Sequence, residues 1–139
     1  MNNQPPPKKV LLAVRPVDLP LVSTALGPAF ELILCHTVED AVAHFSENVG
    51  LIACGVRFDS GRMFDLLQEA KSNALTQEIP FYLILGNDEH GYSTAMIYGI
   101  RSAARALGAS GFADLGKLVK TLGSGGAYSV LRSAIQKRL

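Results

Sequence analysis

Five short apolar runs, each followed by a segment of helical period, constrain this 139-residue chain more than any other feature. Residues 10–14, 30–35, 51–56, 81–85 and 111–113 read as strands. Continuous hydrophobic runs, unlike alternating ones, suit strands covered on both faces of a parallel sheet. Successive βα units place helices on both sides of such a sheet. The pattern predicts a three-layer α/β sandwich with a five-stranded parallel sheet in the order 2-1-3-4-5 and about five helices. Functional loops in that arrangement lie at the carboxyl ends of the strands.

Caps and spacing signal the helices. Asp18 is expected to cap the first, with Pro20 in its opening turn and Val22 and Leu26 inward. Thr37 caps a second, whose Val38, Ala41, Val42 and Phe45 follow the i, i+3, i+4, i+7 spacing of a buried face. The third follows Asp59-Ser60 and turns Met63, Leu66, Leu67 and Ala70 inward. Ser93 opens the fourth, with Met96, Ile97, Ile100, Ala104 and Leu107 expected inward and Gly108 as its stop. Gly123-Ser-Gly-Gly126 breaks a short helical turn from a last helix that carries Tyr128, Leu131, Ile135 and Leu139 on one face.

The length suits one domain with a real core, expected over residues 8–139 behind a flexible, proline-rich tail of residues 1–7. A net charge of +1 gives no long-range attraction to nucleic acid or an anionic membrane. No apolar run approaches the roughly 20 residues that span a bilayer, and the amino-terminal stretch has no signal-peptide core. Cys35 and Cys54 fall within strands at a spacing that fits no disulfide framework or metal motif. Packed as small hydrophobes, they point to a reducing cytoplasm.

Three segments carry a resemblance. In Arg105-Ala-Leu-Gly-Ala-Ser-Gly-Phe112 a helix ends at Gly-Ala and a short strand with an aromatic residue follows. Ile79-Pro-Phe-Tyr-Leu-Ile-Leu-Gly86 and Val10-Leu-Leu-Ala-Val-Arg15 supply a fourth and a first strand. Over residues 8–139 the chain resembles the receiver domain of two-component response regulators, which implies a flavodoxin-like (CheY-like) fold. The resemblance also marks what is missing. Gly55 stands where a receiver carries its phosphorylated aspartate, and Val14-Arg15 where it carries a pair of acidic residues. Leu85 stands in place of the serine or threonine, and Leu115-Gly116 in place of Lys-Pro. Mg²⁺ needs oxygen ligands that Val14 and Arg15 do not offer. The expectation is a degenerate receiver with no phosphorylation, no catalytic residues, no metal and no cofactor. Asp59 and Lys117 are the nearest substitutes, and each has a plainer role, as a cap for the third helix and as a solvated lysine.

Two surfaces remain as candidates. Arg15 and Arg57 are expected at the carboxyl edge of the sheet beside Asn87, Asp88 and His90. That cationic pair suits a small anion or nucleotide, while Arg15 paired with Asp18, Asp59 or Asp88 is the plainer arrangement. Asp88-Glu89-His90 reads as a solvated loop, and His36 and His44 as lone histidines without a nucleophile or carboxylate partner. On the fourth helix Tyr98, Arg101 and Arg105 are expected to face outward, flanked by Ala95, Gly99, Ser102 and Ala106. The resemblance implies docking or homodimerisation through this helix, the fifth strand with Phe112, and the last helix. With its serine or threonine replaced by Leu85, Phe112 is expected to hold one ring position. Direct gene regulation by this chain is not expected. The function expected is a phosphorylation-independent bacterial signalling or adaptor module acting on a protein partner. A sensor of a small anionic ligand is the alternative, and an enzyme of another flavodoxin-like family lacks a nucleophile, base or metal set.

Overall fold

The computed structural model describes residues 8–86 and 91–139. The expected amino-terminal tail and the expected loop of Asn87, Asp88, Glu89 and His90 lie outside the described residues. Five strands, β1 (Lys9–Ala13), β2 (Leu32–Cys35), β3 (Val49–Gly55), β4 (Phe81–Leu85) and β5 (Gly111–Asp114), form one sheet in the order β2-β1-β3-β4-β5. Every pairing is parallel. The order and direction are those the apolar runs predict, with strand ends shifted by one or two residues. Phe30 falls before β2, where its N–H bonds the Leu26 carbonyl at the end of the first helix.

Alternate side chains of each strand feed two cores, as the pleat requires. Val10 and Leu12 of β1, Leu51 and Ala53 of β3, and Tyr82 and Ile84 of β4 face one side, joined by Val14. There they meet Val22, Ala25 and Leu26 of α1 (Leu19–Leu26) and Ala127, Leu131 and Ile135 of α6 (Leu115–Gln136). Leu11, Ile52, Cys54, Phe81, Leu83 and Leu85 face the other side. Their cover is α2 (Val38–Ala43), the short α3 (Phe58–Gly61), α4 (Met63–Ser72) and, through Ala104, α5 (Thr94–Ala106). All seven residues of β3 are buried, which is why its sequence has no polar position.

Local chemistry sets the helix ends. Thr37 Oγ1 accepts the Asp40 N–H and Ser93 Oγ accepts the Met96 N–H, so both expected caps are present. Asp114 caps α6 in the same way through Lys117 N–H. At the end of α5 the Ala109 N–H reaches the Ala104 carbonyl and the Gly108 N–H the Arg105 carbonyl. This closure needs a left-handed residue, and Gly108 has φ of 108°. Gly123, at φ 74° and ψ 169°, interrupts α6 at the predicted break.

Three local expectations are corrected. Asp18 makes no capping bond for α1, because Arg15 takes its carboxylate. Met96 and Leu107 of the fourth predicted helix are not inward but 50% and 42% exposed. Asp59 does not cap the helix that follows it. Its Oδ2 accepts the Val38 N–H, the first of α2, at 3.0 Å.

Candidate functional site

The carboxyl ends of β1 and β3 open onto a cleft of about 770 Å³ lined by Arg15, Pro16, Val17, His36, Arg57, Asp59, Ser60, Gly61 and Tyr92. The turn Pro16–Asp18 that follows β1 brings Asp18 back beneath Arg15. Nε of Arg15 donates to Asp18 Oδ2 at 2.7 Å and Nη2 donates to Oδ1 at 3.0 Å. That two-point bond raises the Arg15 pKa, against the opposing effect of burial. His36 Nδ1 lies 2.9 Å from the Val14 carbonyl oxygen, which ties the ends of β1 and β2 together.

Arg57, just beyond β3, is arranged differently. Its guanidinium carbon stands 4.8 Å above the centre of the Tyr92 ring, and its buried Nε has no hydrogen-bond partner among the described residues. The cleft therefore holds one arginine that is neutralised by a carboxylate and one that rests on an aromatic face. Asp59 and Ser60 form its rim with φ of 47° and 55°, and Gly61 follows at 88°. Two non-glycine residues in the left-handed region carry strain, a state that aspartate tolerates better than serine. The twist directs the Asp59 carboxylate at α2, where it also lies 3.2 Å from Arg62 Nη1.

None of the five positions marked by the resemblance offers a ligand or a nucleophile. Val14 and Leu115 are at most 1% exposed and share the core beneath α1 and α6. Leu85, 3% exposed, belongs to the core beneath α2, α4 and α5. Gly55 ends β3, and a Cβ built on it would meet Val14 Cγ1 at an ordinary 3.5 Å. Lys117, two residues beyond Leu115, is exposed. The structure thus brings Arg15, Arg57 and Asp59 together around one cleft and sends Val14, Leu85 and Leu115 inward.

A second surface lies across α5, β5 and α6. Tyr98, Arg101 and Arg105 are exposed, with Tyr98 at 74%. Arg101 covers the half-buried Phe112 ring at 5.0 Å. A groove of about 830 Å³ runs between α5 and α6 past Tyr98, Phe112, Leu122 and Val130. Tyr98, Leu122 and Val130 are three of the large hydrophobic residues left exposed among the described residues. The last helix was expected from its buried stripe, Leu131 and Ile135. Its outer Leu122 and Val130 were not singled out, because a scattered exposed apolar residue carries no signal until its neighbours in space are known.

Sequence reasoning also missed the surroundings of His44. Its ring lies between Asp40, one turn earlier, and Glu47, three residues later, so it is not a lone histidine. The i, i+4 spacing of Asp40 and His44 was the available signal.

Comparisons with known proteins agree on the fold. No family model matches the sequence, and no curated protein matches it either. Among solved structures, the phosphorylated cyanobacterial phytochrome response regulator RcpA is similar with a TM-score of 0.68 at 12% identity, over 94% of this chain and 93% of that one. The chemotaxis protein CheY4 of Vibrio cholerae gives 0.67 at 18% identity, over 96% and 100%. The receiver domain of a sensor histidine kinase from Pseudomonas aeruginosa, with magnesium in its active-site cleft, gives 0.67 at 14% identity, over 94% and 96%. The chain has the CheY-like receiver fold. No helix among the described residues is long and apolar enough to cross a membrane.

Proposed function

We propose that this chain is a degenerate receiver: a bacterial, cytoplasmic signalling or adaptor module that acts without phosphorylation, by binding a protein partner and not by catalysis. One observation carries the reading. The side chains at the four positions a receiver uses for metal, hydroxyl and cation, namely Val14, Arg15, Leu85 and Leu115, are either core residues or, for Arg15, already paired. Gly55 adds no nucleophile. A buried leucine cannot turn outward without exposing its apolar surface, so these positions are committed to stability.

The surface of α5, β5 and α6 is the binding face. An aromatic residue and arginines around an apolar groove are the composition enriched at interface hot spots. Intact mass after incubation with acetyl phosphate and Mg²⁺, beside a competent receiver, tests the first half of the reading. The expected result is no adduct. A single phosphoryl adduct overturns it and makes Asp59 the first suspect. Sedimentation across a concentration series tests homodimerisation: if the face pairs with itself, wild type self-associates and Tyr98→Glu does not. A monomer in both cases removes the homodimer version.

A second reading, a sensor of a small anionic ligand or nucleotide, is favoured by the Arg57 Nε, which is buried without a hydrogen-bond partner among the described residues. Nucleotide titration followed by amide shifts separates the two readings. Millimolar ligand without a shift at Arg15, Arg57 or Tyr92 removes this one.

A further inference from the structure

Three side chains of metal-ligating type meet away from the cleft lining, where β2 turns into α2. Cys35 Sγ, a carboxylate oxygen of Asp40 and a ring nitrogen of His44 all lie within 4.8 Å of one another. They come from two constraints of the fold. Cys35 is the last residue of β2 and fully buried, so its sulfur is a fixed floor. Asp40 and His44 rise from one face of the α2 segment at i, i+4 and are partly exposed, so their rotamers can adjust. His44 Nε2 faces Asp40 Oδ1 at 3.4 Å, and its Nδ1 contacts the Glu47 carboxylate.

A carboxylate on one imidazole nitrogen leaves the other nitrogen's lone pair for a metal, the arrangement that orients most ligating histidines. Ligand atoms of a tetrahedral Zn²⁺, with bonds of about 2.0–2.3 Å, stand roughly 3.5 Å apart. The present cluster, within 4.8 Å, is wider than that, so metal binding requires rotation of the two partly exposed side chains. The charge balance points the same way. Asp40 and Glu47 face one imidazole, and among the described residues neither pairs with a lysine or arginine.

We propose that Cys35, Asp40 and His44 form a three-ligand site for a borderline divalent cation, Zn²⁺ foremost, with Glu47 as the positioning residue and a fourth position open to water. A thiolate and an imidazole select such a cation over Mg²⁺ or Ca²⁺, which take oxygen ligands. Binding breaks the Cys35 S–H bond, forms a metal–sulfur bond and releases the proton to solvent. The site stands independently of the partner-binding reading.

Titration of the full chain with Co²⁺ under reducing conditions, free of chelators, tests it. The expected result is one equivalent bound, with a near-ultraviolet thiolate-to-cobalt charge-transfer band that Zn²⁺ abolishes by displacement. Cys35→Ser should lose that band, His44→Gln and Glu47→Gln should each weaken binding by about tenfold or more, and Cys54→Ala should leave it unchanged. His44 and Glu47 are partly exposed, so their variants carry the test even if Cys35→Ser fails to fold. Absence of the band at saturating Co²⁺, or its persistence at unchanged affinity in His44→Gln, overturns the proposal.

Discussion

A leucine cannot hold a metal, a proton or a phosphoryl group, and at positions 85 and 115 it is sealed into the two cores. Single residues of this kind were legible from sequence, because chemical capacity is a property of the side chain. Their partners were not. Tyr82 reads as one more apolar strand residue, yet it is the core residue whose ionisation can be followed directly. Burial pushes its phenol pKa up, with Arg138 and Arg101 opposing, and the Arg138 guanidinium lies 5.2 Å from the ring centre. Because the folded-state pKa is raised above the ordinary 10.0, stability from the neutral phenol is fully present below pH 10. It is lost as pH rises through the folded-state value. The urea midpoint of wild type should therefore fall relative to that of Tyr82→Phe above pH 10, while the two run parallel below it. Parallel profiles throughout would mean that the ring is hydrated.

At the scale of elements, periodicity located all five strands and the main helices, and the caps Thr37 and Ser93 were read correctly. The misreading of Asp59 is instructive. A sequence presents an aspartate ahead of a helix as that helix's cap, since the competing acceptor role lies 21 residues away. The left-handed turn at Asp59-Ser60 swings the carboxylate to α2 instead, where Asp59 and Thr37 between them satisfy the Val38 and Asp40 N–H groups. Asp59→Ala should destabilise the protein by about 1 kcal/mol, and Asp59→Asn, which keeps an acceptor, by less. Hydrogen exchange should locate the loss in the first turn of α2. Faster exchange confined to the start of α4 would restore the local-cap assignment. Met96 and Leu107 are misplaced because a helical stripe predicts an apolar face but not how much of that face neighbouring elements cover.

For the whole molecule, the proposed degeneracy raises the question of whether one residue could restore a receiver's chemistry. The space at Gly55 accepts a Cβ without a clash, meeting Val14 Cγ1 at an ordinary 3.5 Å. Gly55→Asp should nevertheless remain unphosphorylated by acetyl phosphate and Mg²⁺ when its mass is measured. Val14 and Arg15 supply no oxygen ligand for the cation, and Leu115 supplies no positive charge. A phosphoryl adduct on Gly55→Asp, with the native circular dichroism spectrum, would mean that the scaffold alone suffices and that the other losses are incidental. The same scale separates what could be read in advance from what could not. Parallel direction and the residue types at positions 14, 15, 55, 85 and 115 follow from apolar periodicity and side-chain identity, which are carried by the chain itself, and the strand order is the common arrangement for five βα units. The Arg15–Asp18 fork, the Arg57–Tyr92 stack, the exposed groove of α5 and α6, and the meeting of Cys35, Asp40, His44 and Glu47 were decided by tertiary structure. Each depends on distances of a few ångströms between side chains whose directions are set only when helices dock on the sheet.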